Sequence, residues 1–279
     1  MKERTRHWIQ AVSALLMNGN LKGFAEGRIW QGQSKRICVP GLNCYSCPGA
    51  FGACPIGSLQ AVLNGRQKSL SFYVTGLLIL FGTIFGRLIC GFLCPFGFLQ
   101  ELLYRIPVRK WQIPAGIDGM LRYLKYVILV VFVLLLPALV HGTYGIGDPW
   151  FCKYICPAGT LEGGIPLVLT NPALRSMVGF LFSWKMLILI LTVTASMHIY
   201  RPFCKYICPL GAVYALFNRF SIYRMQVEED KCTHCGICEK TCLMQVKVTE
   251  NINSPECIRC GACKNVCPVH AISSGYRWK

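Results

Sequence analysis

The chain lacks the short motifs that mark the common soluble enzyme classes. It has no phosphate-binding loop, no glycine-rich dinucleotide fingerprint and no nucleophile elbow. It is also poor in charge, since only 15% of its 279 residues are charged, and only 12 of these are acidic against 29 lysines and arginines. Its five histidines show no paired metal-binding spacing. These absences disfavour nucleotide-dependent, hydrolytic and histidine-metal chemistry.

Apolar residues are abundant instead, at 53% of the chain, and they lie in long runs. An apolar helix of about 20 residues crosses a bilayer core of roughly 30 Å. The runs predict membrane spans near 70–89, 122–140 and 178–200, and hence a mainly α, polytopic transmembrane domain over residues 1–224. A shorter apolar segment, 8–21, follows a basic start. We expect a retained membrane helix there, with an interfacial helix or a signal-peptide core as alternatives.

Cysteine is the most informative residue type, with eighteen in the chain. Near the C-terminus the spacing C-x2-C-x2-C-x3-C occurs twice, which is typical of a bacterial ferredoxin with two [4Fe–4S] clusters. The fourth cysteine of each run ligates the other cluster in such domains. We therefore expect a small α+β ferredoxin domain over 225–279. The predicted ligand sets are Cys232, Cys235, Cys238 and Cys267 for one cluster, and Cys257, Cys260, Cys263 and Cys242 for the other.

The apolar part contains an internal repeat, the sequence Cys-Pro-x-Gly, which occurs four times. We number these units one to four; they begin at Cys54, Cys94, Cys156 and Cys208. In units two to four a second cysteine lies four positions earlier, at Cys90, Cys152 and Cys204. For unit one we expect the partner to be Cys47, seven positions earlier, which leaves Cys38 and Cys44 as additional candidates.

The amino-acid sequence of these units suits the ligation of a metal cluster. Proline is favoured at the first position of a helix, so the preceding cysteine lies at the helix N-terminus, where the dipole stabilises a thiolate. Each unit offers two thiolates, and a cubane needs four. One span separates successive units, so units one and three share a membrane face, as do units two and four. The predicted ligand sets are Cys47, Cys54, Cys152 and Cys156, and Cys90, Cys94, Cys204 and Cys208.

These motifs resemble those of the membrane polyferredoxins of the NapH, NosR and YccM type. The resemblance is carried by CYSCPGAFGACPIGSLQ, CGFLCPFGFLQ, FCKYICPAG, FCKYICPLG and the two ferredoxin runs. It implies an integral-membrane electron carrier, a component of an oxidoreductase complex rather than a stand-alone enzyme. Such a subunit would relay electrons between a cytoplasmic carrier and a membrane or outer-face partner, either a quinone or a flavoprotein. Flavin or quinone would be supplied by, or shared with, those partners.

Charge suggests orientation and partners. The loop after the first span carries Arg105, Arg109 and Lys110. The positive-inside rule therefore places the ferredoxin domain in the cytoplasm of a prokaryotic cell. The net charge of +17 is attributed to the lipid surface and cytoplasmic loops, not to nucleic acid. It also suits docking of an acidic soluble ferredoxin or flavodoxin.

Two other functional classes and one isolated residue stay open from the sequence. The Cys-Pro pairs could bind or reduce copper without clusters, or Cys38 and Cys44 could form a switchable disulfide in a redox sensor. His198 lies within an expected span, where an ionisable residue is a candidate haem ligand or proton relay. A neutral, hydrogen-bonded structural histidine is the alternative. His141 and Asp148 near the same boundary are equally ambiguous.

Overall fold

Helices form most of the regular structure, as the sequence predicts. The computed structural model describes residues 3–65, 72–140 and 147–276. The α-helices up to residue 217 are Glu3–Met17, Leu21–Glu26, Pro55–Leu63, Phe72–Phe85, Leu88–Phe92, Pro95–Tyr104, Ala115–Ile128, Leu136–Leu139, Pro157–Gly159, Ile165–Thr170, Pro172–Ser176, Phe180–His198, Pro202–Tyr206 and Pro209–Phe217. The π-helical stretches are Leu129–Leu135, Phe151–Ile155 and Thr160–Gly164, and Gln33–Arg36 is a 3₁₀ helix.

Two helices are long and apolar enough to cross a membrane. They are Ala115–Leu139, with 25 residues, and Phe180–His198, with 19. The third expected span appears as Phe72–Phe85, which has 14 residues. At 1.5 Å per residue this helix is about 21 Å long, short of a bilayer core. Residues 70 and 71 of that expectation lie outside the described residues, so three complete spans stay a prediction.

The first helix, Glu3–Met17, replaces the candidate segment 8–21 and is only 15 residues long. Its polar side faces inward: Arg6, Gln10 and Ser13 are buried, whereas Trp8 and Leu16 are 71% and 72% exposed. A helix with this reversed polarity suits an apolar surrounding better than water. Its length falls short of a full span.

All four Cys-Pro-x-Gly units begin helices in the way that proline predicts. In each unit the cysteine precedes the first helical residue and proline occupies that first position. The glycine N–H three residues after the cysteine donates to the sulfur, for example from Gly97 to Cys94 and from Gly211 to Cys208, both at 3.4 Å. Each unit therefore presents a sulfur at a helix N-terminus.

The C-terminal part is a small α+β structure with its own core. The strands Tyr223–Val227 and Ile272–Tyr276 pair antiparallel, with Tyr223 opposite Tyr276. The chain between them contains the short helices Glu229–Lys231, Ile237–Thr241, Val248–Asn251 and Ala262–Val266. The core residues are Met225, Val248, Ile252, Cys263 and Ile272. The domain boundary at 224/225 stays a prediction; the first strand of this sheet begins at Tyr223.

Candidate iron–sulfur sites

Units two and four come together around one glutamine. Gln100 donates through Nε2 to the Cys204 Sγ at 3.0 Å, and its Oε1 accepts from the backbone N–H of Phe203 at 3.1 Å. Cys94 and Cys208 each interact electrostatically with both Cys90 and Cys204. We call these four cysteines, Cys90, Cys94, Cys204 and Cys208, group B. The structure thus brings together the set that the sequence predicted for this pair of units.

Units one and three repeat the same arrangement. Gln60 donates through Nε2 to the Cys152 Sγ at 3.3 Å and accepts from the Phe151 N–H at 3.0 Å. Gln60 and Gln100 occupy the same place in their units, six residues after the cysteine. Cys54 and Cys156 both interact electrostatically with Cys152. The three cysteines therefore form one site, built on the same plan as group B.

Cys44 occupies the fourth place in this site. Both Cys54 and Cys156 interact electrostatically with it. Units one and three make the same contact with each other. A β-carbon on Gly57 of unit one would lie 3.8 Å from the Cys152 sulfur, and a β-carbon on Gly159 of unit three would lie 3.6 Å from the Cys44 sulfur. Cys44 thus stands to unit three as Cys152 stands to unit one. We call Cys44, Cys54, Cys152 and Cys156 group A.

Glu162 reinforces the equivalence of Cys44 and Cys152. It lies six residues after Cys156, the place that Gln60 holds in unit one. Its carboxylate accepts the backbone N–H of Cys44 at 2.7 Å, and burial raises the pKa of this carboxyl to about 7. The sixth residue after the cysteine therefore reaches the opposite unit in units one, two and three.

Cys47, which the sequence favoured as the fourth ligand, interacts electrostatically with Cys44 and Glu162, whereas Cys54 and Cys156 interact with Cys44. The Cys47 Sγ donates to Asn18 at 3.5 Å, and Lys35 is a charged neighbour. Cys38 is buried and donates to Ser58 at 3.5 Å. The nine residues between Cys44 and Cys54 contain two turns, in which the Cys47 N–H donates to the Cys44 carbonyl oxygen and the Ala50 N–H to that of Cys47, and a count of sequence separation does not reveal them. The geometry therefore favours Cys44 as the fourth ligand of this site, whereas the sequence had favoured Cys47.

The chemistry of groups A and B fits thiolate-ligated clusters. Burial raises the pKa of Cys44 to about 12 and raises that of Cys54 as well, so a positive metal core is what would keep these sulfurs ionised. All eighteen cysteines lie in the described ranges, and none of them forms a disulfide there. Within those ranges no three His, Cys, Asp or Glu side chains approach closely enough to hold a single metal ion. A cubane, in contrast, separates its ligand sulfurs by its own width.

The ferredoxin runs form two further groups. Cys263 interacts electrostatically with Cys257, Cys260 and Cys242, and these four cysteines, group C, line a cavity of about 470 Å³. A second, smaller cavity is lined by the other four cysteines, group D: Cys232, Cys235, Cys238 and Cys267. Gly236 and Gly261 follow the second cysteine of each run and adopt positive φ angles of 72° and 78°, which glycine permits without strain. Both groups follow the crossed pattern that the sequence predicts.

The four groups are connected in order. Tyr214, which is fully buried, interacts electrostatically with Cys54 of group A and with Cys90 of group B. Between groups B and C the contact is backbone to backbone: a β-carbon on Gly91 would overlap the Ile258 carbonyl oxygen. Groups C and D are linked because the fourth cysteine of each ferredoxin run belongs to the other run's group: Cys242 to group C and Cys267 to group D. The sequence of sites is therefore A, B, C, D.

Buried ion pairs fix group C against group B. Glu256, which precedes Cys257, accepts from Arg87 at 2.7 Å and also pairs with Lys125. Arg87 in turn donates to the carbonyl oxygen of Cys204 at 3.1 Å. The two partners of each of these contacts are more than a hundred positions apart in sequence, so pattern analysis had no signal for them. They set the spacing between the two clusters' ligands.

The isolated candidates have structural roles. His198 interacts through Nδ1 with the Arg109 carbonyl oxygen at 2.8 Å and stacks on Trp111 with ring centroids 4.4 Å apart. This agrees with the structural-histidine alternative. Asp148 pairs with Lys153 at 2.6 Å, and His141 lies outside the described residues.

Comparison with family models gives two matches. The model described as "4Fe-4S binding domain" and named Fer4_5 matches residues 52–73, 69–114, 128–165 and 180–224, which contain all four Cys-Pro-x-Gly units. A second 4Fe-4S binding domain model, Fer4, matches residues 251–273, which contain the second ferredoxin run.

Curated relatives cover most of the chain. Two are uncharacterized proteins of Methanocaldococcus jannaschii: MJ0750 is 33% identical over 82% of this chain and 89% of its own length, and MJ0749 is 30% identical over 78% and 76%. The methylamine utilization ferredoxin-type protein MauN of Paracoccus denitrificans is 26% identical over 83% of this chain and 72% of its own. No solved structure matches.

Proposed function

The chain belongs to the 4Fe-4S binding domain family, and on that premise we propose that it is an integral-membrane subunit that relays electrons through four [4Fe–4S] clusters. It is an iron–sulfur electron-transfer protein; the membrane location, the cluster count and the partners are the proposal. Its ligand sets are groups A, B, C and D. Each cluster supplies reversible one-electron chemistry.

The observation that carries the proposal is the continuous order of the four groups. Tyr214 lies between groups A and B, and the Gly91–Ile258 contact joins groups B and C. Cysteines of groups A, B and C, among them Cys54, Cys90 and Cys257, belong to or pack against one core, which includes Met244 and Val246 of the ferredoxin part. A rigid core of this kind holds the redox sites at fixed separations. An electron accepted at one end can therefore be delivered at the other.

Membrane integration is supported by apolar helices that are not buried. In Ala115–Leu139, only 22% of the most apolar stretch is buried inside the protein. In Phe180–His198 the buried share of the corresponding stretch is 17%. Phe180 and Phe72 are 86% and 85% exposed. A soluble protein would not leave contiguous apolar surfaces of this size in water. A bilayer around these helices covers them.

Orientation follows from the end of the helices that the ferredoxin part contacts. Arg122, near the start of Ala115–Leu139, donates to the carbonyl oxygen of Gln245 at 3.1 Å. That end adjoins the basic loop containing Arg109 and Lys110, which the positive-inside rule assigns to the cytoplasm. Group D then faces a soluble acidic ferredoxin or flavodoxin. Group A, at the other end of the series, serves a quinone or flavoprotein partner in a larger redox complex.

Two measurements on the full chain test this proposal. Anaerobically purified protein should contain about sixteen irons and as many acid-labile sulfides, while about eight would leave only the ferredoxin part as a cluster carrier. The protein should also stay in the membrane pellet after alkaline carbonate extraction, with a peripheral membrane protein as the control. Release into the supernatant would refute membrane integration independently of the iron count.

A further inference from the structure

Two buried arginines lie beside group B at equivalent positions. Arg87 precedes Cys90 by three residues, and Arg201 precedes Cys204 by three. Both side chains are 0% exposed. Each guanidinium reaches across to the opposite unit: Arg87 donates through Nη2 to the Cys204 carbonyl oxygen at 3.1 Å, and Arg201 through Nη1 to that of Cys90 at 2.5 Å. Each arginine therefore comes from one of the two units that build this site and hydrogen-bonds a ligand cysteine of the other unit.

These arginines belong to ionic clusters with an excess of positive charge. Each shares a carboxylate with a second cation; the two triads are Arg87–Glu256–Lys125 and Arg201–Glu101–Arg6. Within the described residues the buried Nε of Arg87 also has no hydrogen-bond partner. Buried charge and buried unpaired donors are costly unless something compensates them. A thiolate-ligated cluster, which is an anion with sulfur acceptors, supplies that compensation at group B.

Group A has no arginine at the equivalent positions. The positions three residues before its first cysteines hold Gly41 and Pro149. Its charged neighbours in the described part of the chain include both signs. Glu162 accepts from the Cys44 N–H, Lys185 donates to the Cys152 carbonyl oxygen at 3.2 Å, and Lys35 interacts electrostatically with Cys44. Two ammonium groups thus face one carboxylate at group A, against four cations and two carboxylates at group B. Among the described residues, no guanidinium donates to a carbonyl oxygen of a group A cysteine.

We propose that Arg87 and Arg201 make group B the electron-accepting member of the pair, with a reduction potential above that of group A. This inference rests on the proposed function, which assigns a cluster to each group. Reduction adds one negative charge to a cluster that is already anionic, and buried cations stabilise that added charge. When the pair holds a single electron, that electron would reside on group B, which would be reduced, while group A would be oxidised; no other reactant takes part. The arginines act as positioning residues that bias the equilibrium toward the ferredoxin side.

The test is a potentiometric titration of the full-length, cluster-loaded protein followed by electron paramagnetic resonance. The signal lost in Cys94→Ala identifies group B, and that lost in Cys54→Ala identifies group A. An adjacent opposite charge shifts a protonation equilibrium by about one to three powers of ten. Arg201→Gln should therefore favour the oxidised form of group B by at least about tenfold, which is about 59 mV for one electron. Group A should not move.

Matched variants separate charge from structure. Arg201→Lys retains the positive charge and should shift the potential of group B less than Arg201→Gln, and Arg175→Gln, on the exposed helix Pro172–Ser176, should shift neither group. If Arg201→Gln loses iron, Glu101→Gln gives the reciprocal test: removal of the paired carboxylate should raise the potential of group B. An unchanged or raised potential in Arg201→Gln, or equal shifts in both groups, overturns the inference while four clusters remain. A wild-type protein without the group B signal overturns the proposed function instead.

Discussion

Replacement of Cys44 should remove one whole cluster, whereas replacement of Cys47 should remove none. The two residues are three positions apart in one loop, so the variants Cys44→Ala and Cys47→Ala are closely matched in location and chemistry. Cys44 lies beside Cys54 and Cys156, and its backbone N–H is fixed by Glu162. Cys47 instead donates to Asn18.

The magnitude follows from the ligand count. Loss of one thiolate from a four-cysteine site should release about four irons, a quarter of about sixteen in the whole chain. Loss of the Cys47–Asn18 contact removes one weak hydrogen bond, which contributes about 1 kcal/mol or less to stability, and should leave the iron content at the wild-type value. Because serine oxygen can also bind iron, alanine is the better replacement.

The assay measures iron and acid-labile sulfide per chain in anaerobically purified variants, and electron paramagnetic resonance spectra identify the missing cluster. Cys38→Ala serves as a further control, since the Cys38 thiol donates to the Ser58 hydroxyl at 3.5 Å. We expect a loss of about four irons in Cys44→Ala alone. If Cys47→Ala loses this cluster while Cys44→Ala keeps it, the equivalence of Cys44 and Cys152 is wrong.

Three further predictions address other parts of the structure. Cys54→Ala and Cys156→Ala should each lose about four irons and the double variant no more, and additive loss in an iron assay would separate the two units. Gly91→Ala should destabilise the contact with the ferredoxin part by about 1–3 kcal/mol, because the added methyl group overlaps the Ile258 carbonyl oxygen. The melting temperature measures this loss, and Gly76→Ala, with open space around the added methyl group, is the control. Equal effects of the two substitutions would contradict the contact. Electron transfer from reduced soluble ferredoxin should slow steeply as salt rises, and Lys240→Glu should slow it at low salt only; a rate indifferent to salt argues against steering by charge.

Much of the cluster architecture could be predicted from local sequence. The Cys-Pro-x-Gly units start helices because proline fits the first helical position, and the structure confirms this in all four. The four-cysteine runs specify their own geometry, because closely spaced ligands in a short loop have few arrangements. The pairing of units two and four also emerged from alternation of the spans, a simple topological argument.

The remainder depended on contacts between distant segments. The choice between Cys44 and Cys47 is decided by how the loop meets Glu162, which follows it by more than a hundred residues. A signal was nevertheless present: Gln60, Gln100 and Glu162 all lie six residues after a unit's cysteine. The third span was harder, since Phe72–Phe85 is mostly apolar yet shorter than the hydrophobic run that contains it.

The buried arginines were also visible in sequence but not interpretable there. Arg87 breaks an apolar run, and Arg201 follows one, so both resembled boundary charges. Their role depends on Glu256 and Glu101, which come from other parts of the chain. Long-range ion pairs of this kind leave no periodic pattern, and only the folded structure shows which charges meet.

The relay itself can be tested most directly by following one electron from group D to group A. Full-length protein in nanodiscs is mixed with reduced soluble ferredoxin and freeze-quenched, and the resonance signal of group A is recorded over time. We expect the wild-type signal of group A to appear after those of groups C and B, because excess reductant fills the group of lower potential last, and not to appear in Cys94→Ala, in which the intervening cluster is missing. Equal reduction of group A in both proteins would contradict a relay through group B.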